Sequence, residues 1–143
     1  MNILMVLPYP PSRIRIRPFG FLQALARRGH RICVLAVQPP EDRDADLEPL
    51  RRLGVEIHGF PLSRGRTLWN AGRAWLRGDP LQAGYADHPG LRKTLRRCLQ
   101  GSWDVVHVEH LRGAGFAREI PPDRLVFDAV DSITRLFEQA QAL

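Results

Sequence analysis

Three short segments of this chain carry residue types from which an anion-binding or acid–base site can be built. The first runs Pro8-Tyr9-Pro10-Pro11-Ser12-Arg13-Ile14-Arg15-Ile16-Arg17-Pro18. Its prolines restrict the backbone, and Arg13, Arg15 and Arg17 offer planar guanidinium donors that match phosphate or carboxylate. The same alternation also fits a solvated loop with its arginines turned outward. The segment lacks a G-x-G-x-x-G pattern, which counts against a dinucleotide site. The second segment is Val105-Val106-His107-Val108-Glu109-His110-Leu111-Arg112-Gly113. Strand alternation places His107 and Glu109 on one side and His110 on the other. A carboxylate or imidazole there could take a proton from a hydroxyl, so Glu109 and His110 are the candidate catalytic pair. His107 reads more simply as a hydrogen-bonded core histidine. The third segment is Phe127-Asp128-Ala129-Val130-Asp131-Ser132. Asp128 and Asp131 could meet sugar hydroxyls or orient the arginines, and for Asp131 or Ser132 the cap of a final helix is the preferred reading. The spacing is not that of a D-x-D metal motif, and no other metal-ligand cluster is evident, so no metal is expected.

Such residues act together only if the fold brings them together. Apolar runs of strand length occur at Ile3–Leu7, Arg31–Val37, Val55–Phe60, Val105–Val108 and Leu125–Phe127. Near-continuous apolarity, as in Ile32-Cys33-Val34-Leu35-Ala36-Val37, suits a strand buried on both faces. Between them lie stripes of helical period: Phe19, Leu22, Leu25 and Ala26; Leu47, Leu50 and Leu53; Leu68, Gly72, Trp75 and Leu76; and Leu91, Leu95, Cys98 and Leu99. Arg27, Arg28 and Gly29 form a helix stop. Strands alternating with helices predict a Rossmann-like, doubly wound parallel sheet of order 3-2-1-4-5. In that order the chain reverses direction between strands one and four. Ligands bind outside the carboxyl ends of those strands, where the first two segments face each other. The segment from Ser63 to Gly90, rich in Gly and Arg, reads as a helical excursion. A last stripe, Ile133, Leu136, Phe137 and Ala140, reaches the final residue without a stop signal, so a further domain is expected.

A length of 143 residues suits one domain with one core. No apolar run approaches the length of a membrane-spanning helix, and the first residues read as a strand, not a signal peptide, so a cytoplasmic protein is expected. Cys33 and Cys98 sit on apolar faces and read as reduced core residues. The net charge of +6 rests almost wholly on arginine, Lys93 being the only lysine. Genome composition alone can produce that bias. A functional origin would be an anionic partner: a phosphate-bearing substrate or an anionic membrane surface touched peripherally. Nucleic acid is disfavoured because acids are interspersed with the basic residues and no aromatic stacking pattern accompanies them.

The opening Ile3-Leu4-Met5-Val6 with Pro10-Pro11 and Arg13-Ile14-Arg15, then Phe21-Leu22-Gln23-Ala24-Leu25-Ala26-Arg27-Arg28-Gly29-His30, Asp104 to Arg112, and Phe127 to Ser132, together resemble the amino-terminal domain of glycosyltransferase family 4. The likeness is to bacterial sugar transferases of polysaccharide synthesis, and it is patchy between about Pro39 and Ser102. It implies that residues 1–143 are the acceptor-side half of a GT-B fold, with a donor-binding carboxyl-terminal domain lying outside this chain. It also implies a hexosyltransferase-type reaction from a nucleotide sugar to a saccharide or lipid-linked acceptor, with no cofactor and with this half inactive alone. Two departures stand out. Ser12-Arg13 occupies the place of a Gly-Gly pair in many relatives, and Glu109 stands where relatives often have histidine. The residues themselves leave two rivals open: a GT-B-like sugar-nucleotide epimerase, and a non-enzymatic module that binds an acceptor or partner.

Overall fold

The computed structural model describes residues 1–42, 46–78 and 84–129. The expected Asp131 or Ser132 cap and the final helix fall outside them. Five parallel strands form one sheet in the order β3-β2-β1-β4-β5: β1 Asn2–Leu7, β2 Arg31–Gln38, β3 Glu56–Pro61, β4 Val105–Glu109 and β5 Leu125–Asp128. β1 lies at the centre, with Leu4 beside both Cys33 of β2 and Val106 of β4. The strand order is the expected one, so the carboxyl ends of β1 and β4 stand side by side at the switch point.

The helices follow from apolar periodicity. α1 spans Ile16–Arg27, α2 Glu48–Arg51, α3 Arg64–Leu76, α4 Pro89–Cys98 and α5 Ala114–Ala117. Gly29 and Gly54, at φ of 77° and 81°, turn the chain out of α1 and of the turn after α2, where the left-handed backbone disfavours other residues. α1 begins three residues earlier than its apolar stripe suggests, because proline is tolerated in a first helical turn. Pro18 therefore sits inside the helix, and Arg17 lies in the first turn, not in the loop.

Because strand side chains alternate, the sheet has two apolar faces, each covered by helix. On one face Ile3, Met5, Leu7, Ile32, Val34 and Ala36 pack under Leu22 of α1 and Leu50 of α2. On the other Leu4, Val6, Leu35, Val37 and Val108 pack under Leu91 and Leu95 of α4 and Phe116 of α5.

α3 departs from this pattern. Its periodic apolar residues do not face the body. Asn70 and Ala74 are the buried positions of this helix, while Leu68, Trp69, Trp75 and Leu76 are exposed. Asn70 Nδ2 donates to the Asp87 carbonyl at 2.8 Å and Arg73 pairs with Asp87 at 2.6 Å, holding α3 to the chain that precedes α4. Asp87 also accepts from Arg92 at 2.5 Å. Arg92 in turn contacts Glu119, which Arg96 bridges at 2.8 Å. This ion-pair chain ties the 84–88 segment, α4 and the segment after α5 together.

Candidate functional site

The crevice at the carboxyl ends of β1 and β4 is built from three converging pieces of chain. After β1, the proline-rich segment turns back over the sheet with Pro10, Pro11 and Ser12 buried. It carries Tyr9 and Arg15 in partial burial and leaves Arg13 exposed. Arg15 stacks over the Tyr9 ring, 4.7 Å from its centroid, and pairs with Asp42 at 3.3 Å. Arg17, one turn further, reaches Asp128 at the end of β5 at 2.6 Å. Arg13 makes no ion pair among the described residues, so the three arginines do not act as one cluster.

β4 supplies the second piece. His107 and Glu109 point to the α1 face, as strand alternation requires, and both are buried. His107 lies against Phe21 of α1 with ring centroids 5.7 Å apart, and its Nε2 is 3.8 Å from Asp128 Oδ2. Burial lowers its basicity below that of an ordinary imidazole, and nearby Arg17 acts in the same direction against Asp128. The core-histidine reading thus fits its placement, although its Nδ1 has no hydrogen-bond partner among the described residues.

Glu109 is 2% exposed. Burial raises its pKa, with Asp128 adding to the rise, while Arg17 and a hydrogen bond with Tyr9 hold it down. Tyr9 is raised in turn, by its own burial first and then by the charge of Glu109. A carboxylate made more basic in this way is suited to accept a proton near neutral pH.

His110 leaves the strand. Its φ of 68° is the one positive value at a non-glycine residue among those described, an unfavourable backbone that is often retained at binding sites. The turn frees its side chain from the strand's alternation. Its Nδ1 accepts from the Arg112 amide at 3.1 Å. An amide can only donate, so Nδ1 is the unprotonated nitrogen and the ring proton sits on Nε2. His110 also packs edge-on against Tyr9, with centroids 6.2 Å apart. Arg112 lies over the Tyr85 ring at 4.8 Å.

Glu109, His110, Arg15, Arg17 and Asp128 are therefore gathered around one crevice, with His107 beside them. Sequence reasoning assigned no role to Tyr9, which contacts Arg15, Glu109 and His110, nor to Arg112 or Asp42. Tyr9 was marked only by its place at the tip of β1. The partners of Arg112 and Asp42 are distant in sequence and had no local signal.

The buried polar atoms of this region share a property. Among the described residues, the buried side-chain nitrogen and oxygen atoms without a hydrogen-bond partner are Arg15 Nε, His107 Nδ1, Glu109 Oε1 and Arg112 Nε. All four belong to the segments that follow or end β1 and β4. Burying a polar atom without a partner is costly, and each such atom calls for an explanation such as a bound water, an ion or a catalytic role.

Away from the crevice, Cys33, Glu56 and His58 each bring one potential ligand atom within 4.8 Å of the others on the paired strands β2 and β3. Burial pushes the Cys33 thiol up to about 12, and His58 lies 2.7 Å from Glu56. Cys98 is likewise free.

The family model described as "Glycosyl transferase 4-like domain" matches residues 17–127. Among solved structures, the C-terminal domain of a hydrogenase from Pyrococcus furiosus is similar, with a TM-score of 0.50 and 14% identity over 89% of this chain and 90% of that one. At that identity the likeness is one of fold. No curated protein matches the chain.

Proposed function

The chain belongs to the glycosyl transferase 4-like domain family, and on that premise we propose that it forms the acceptor side of sugar transfer from a nucleotide sugar to a saccharide or lipid-linked hydroxyl. The observation that carries this reading is the set of four unpartnered buried polar atoms at the ends of β1 and β4, which supports a polar ligand seated where the sheet order puts a ligand.

The two candidate catalytic residues take different parts. Glu109, with its raised pKa and its Tyr9 contact, is the proton acceptor for the acceptor hydroxyl. His110, held by the Arg112 amide beside Glu109, helps to orient an acceptor or substrate oxygen. Arg15, stacked on Tyr9, and the more exposed Arg13 hold anionic groups such as a diphosphate. Arg17 is occupied by Asp128 and sets the charge around Glu109 instead. A hexosyl donor and a place in polysaccharide synthesis are the substrate and process that the family resemblance favours.

The reaction requires a donor-binding half. In a protein that joins this chain to such a half, Glu109→Gln and His110→Ala are compared for turnover and for melting temperature. Loss of a positioned proton acceptor lowers the rate by roughly a hundredfold to ten-thousandfold. That loss in Glu109→Gln with no fall in melting temperature is the expected result. Near-normal turnover in both variants would make the end of β4 structural and overturn the assignment.

A further inference from the structure

No described helix is long and apolar enough to cross a membrane, yet α3 presents an apolar surface to solvent. Leu68, Trp69, Trp75 and Leu76 are 74%, 65%, 73% and 79% exposed. With 3.6 residues per turn they fall within an arc of about 120°. Asn70 and Ala74, the buried positions of the helix, lie on the opposite side. The amphipathicity is thus inverted: small or polar residues face the body and the large apolar ones face outward. Isolated exposed apolar residues need no explanation, but four on one helical stripe, two of them tryptophan, form a patch.

The charges around the patch identify its occupant. Arg64 borders the arc on one side and Arg73 on the other, and Arg66 and Arg77 lie beyond Arg73 towards the body. Neither Arg64, Arg66 nor Arg77 makes an ion pair among the described residues. Behind the helix, Arg92 and Arg118 line the cleft that Arg73 and Arg77 share, opposite Asp87 and Glu119. Tryptophan settles at the level of lipid headgroups, and arginine beside it reaches anionic phosphates. A helix with a Trp/Leu face, an arginine-rich remainder and low overall hydrophobicity lies in the plane of a bilayer surface. A second copy of the chain would set one arginine-flanked patch against another and meet like-charge repulsion.

We infer that α3 is a membrane-docking helix, which lies in the interface of an anionic bilayer with Leu68, Trp69, Trp75 and Leu76 towards the acyl chains and Arg64 and Arg66 at the headgroups. The inference does not depend on sugar transfer. If both readings hold, the docked helix brings the crevice close to a lipid-linked acceptor.

The test is co-sedimentation of the 143-residue chain with vesicles of phosphatidylcholine alone or mixed with phosphatidylglycerol, with tryptophan emission followed in parallel. The expected result is binding to the phosphatidylglycerol vesicles with a blue shift, weakened by added salt, and little binding to phosphatidylcholine. Trp69→Ser/Trp75→Ser and Arg64→Glu/Arg66→Glu should each reduce affinity by about tenfold or more. The side chains replaced are exposed, and acidic residues in a first helical turn favour the helix, so an unchanged melting temperature shows that the fold is intact. Absence of binding to anionic vesicles, or unaltered binding by the tryptophan variant, would overturn the inference. So would concentration-dependent self-association abolished by the same variant, because it would assign the patch to a second copy.

Discussion

At Glu109 two opposing influences meet: burial favours the protonated carboxyl, while Arg17 and Tyr9 favour the carboxylate. The net rise has a consequence for stability. A carboxyl whose folded pKa lies above its unfolded value contributes its stability below the unfolded value, and that contribution is lost as pH rises through the folded one. Glu109→Gln should therefore raise the melting temperature at neutral pH, and the gain should vanish as pH falls below the ordinary glutamate range. Thermal melts across that range check it; an equal gain at every pH would point to packing, not charge. For the arginines, Arg13→Ala/Arg15→Ala in an enzyme with its donor half should weaken substrate binding by about tenfold or more, since charge-assisted contacts are worth roughly 1.5–3 kcal/mol each. An unchanged Michaelis constant for both substrates would reduce the segment to a connector. At this scale the sequence disclosed the facing of His107 and Glu109, because strand alternation is a local rule. It did not disclose that Arg17 is taken by Asp128, or that Tyr9 joins the group. Those contacts depend on three elements meeting in space.

The elements were legible in proportion to how far local patterns determine them. The five apolar runs became the five strands, with ends shifted by a residue or so, and Glu109 and Asp128 fell within their strands instead of just beyond. The arginine segment was read as loop up to Pro18, yet Arg17 lies in α1, because a proline in a first turn does not prevent a helix. α3 is the informative failure. Period alone locates an apolar stripe but does not say which way it faces, and here only tertiary packing through Asn70, Ala74 and Asp87 turns it outward. Glycine substitutions probe the elements directly. A Cβ at Gly113 would lie 2.7 Å from Val108 Cγ1, in the turn that follows His110. Gly113→Ala should cost about 1–3 kcal/mol, as overpacking does, and should disturb the crevice. A Cβ at Gly20, inside α1, meets nothing within 4 Å. Gly20→Ala should stabilise by about 0.5–1 kcal/mol. Urea unfolding of the two variants measures both, and a stabilised Gly113→Ala would contradict the packing described.

For the molecule as a whole, the order β3-β2-β1-β4-β5 converts three separated sequence segments into one crevice. That order was legible because alternating strands and helices admit few handed topologies. The proposed division of labour, with the acceptor on this half and the nucleotide sugar on another, predicts an asymmetric binding profile for the chain. Purified alone, it should show no sugar transfer; turnover with any nucleotide sugar would refute that. The most direct measurement is an NMR titration of the isotopically labelled chain, in separate experiments, with a water-soluble short-chain prenyl glycosyl diphosphate and with a uridine diphosphate sugar. The first should shift the backbone amides of Tyr9, Arg15, Glu109 and His110, and the second should leave them in place. Shifts at those amides from the nucleotide sugar, with none from the glycosyl diphosphate, would contradict the acceptor-side assignment by making this half the donor side.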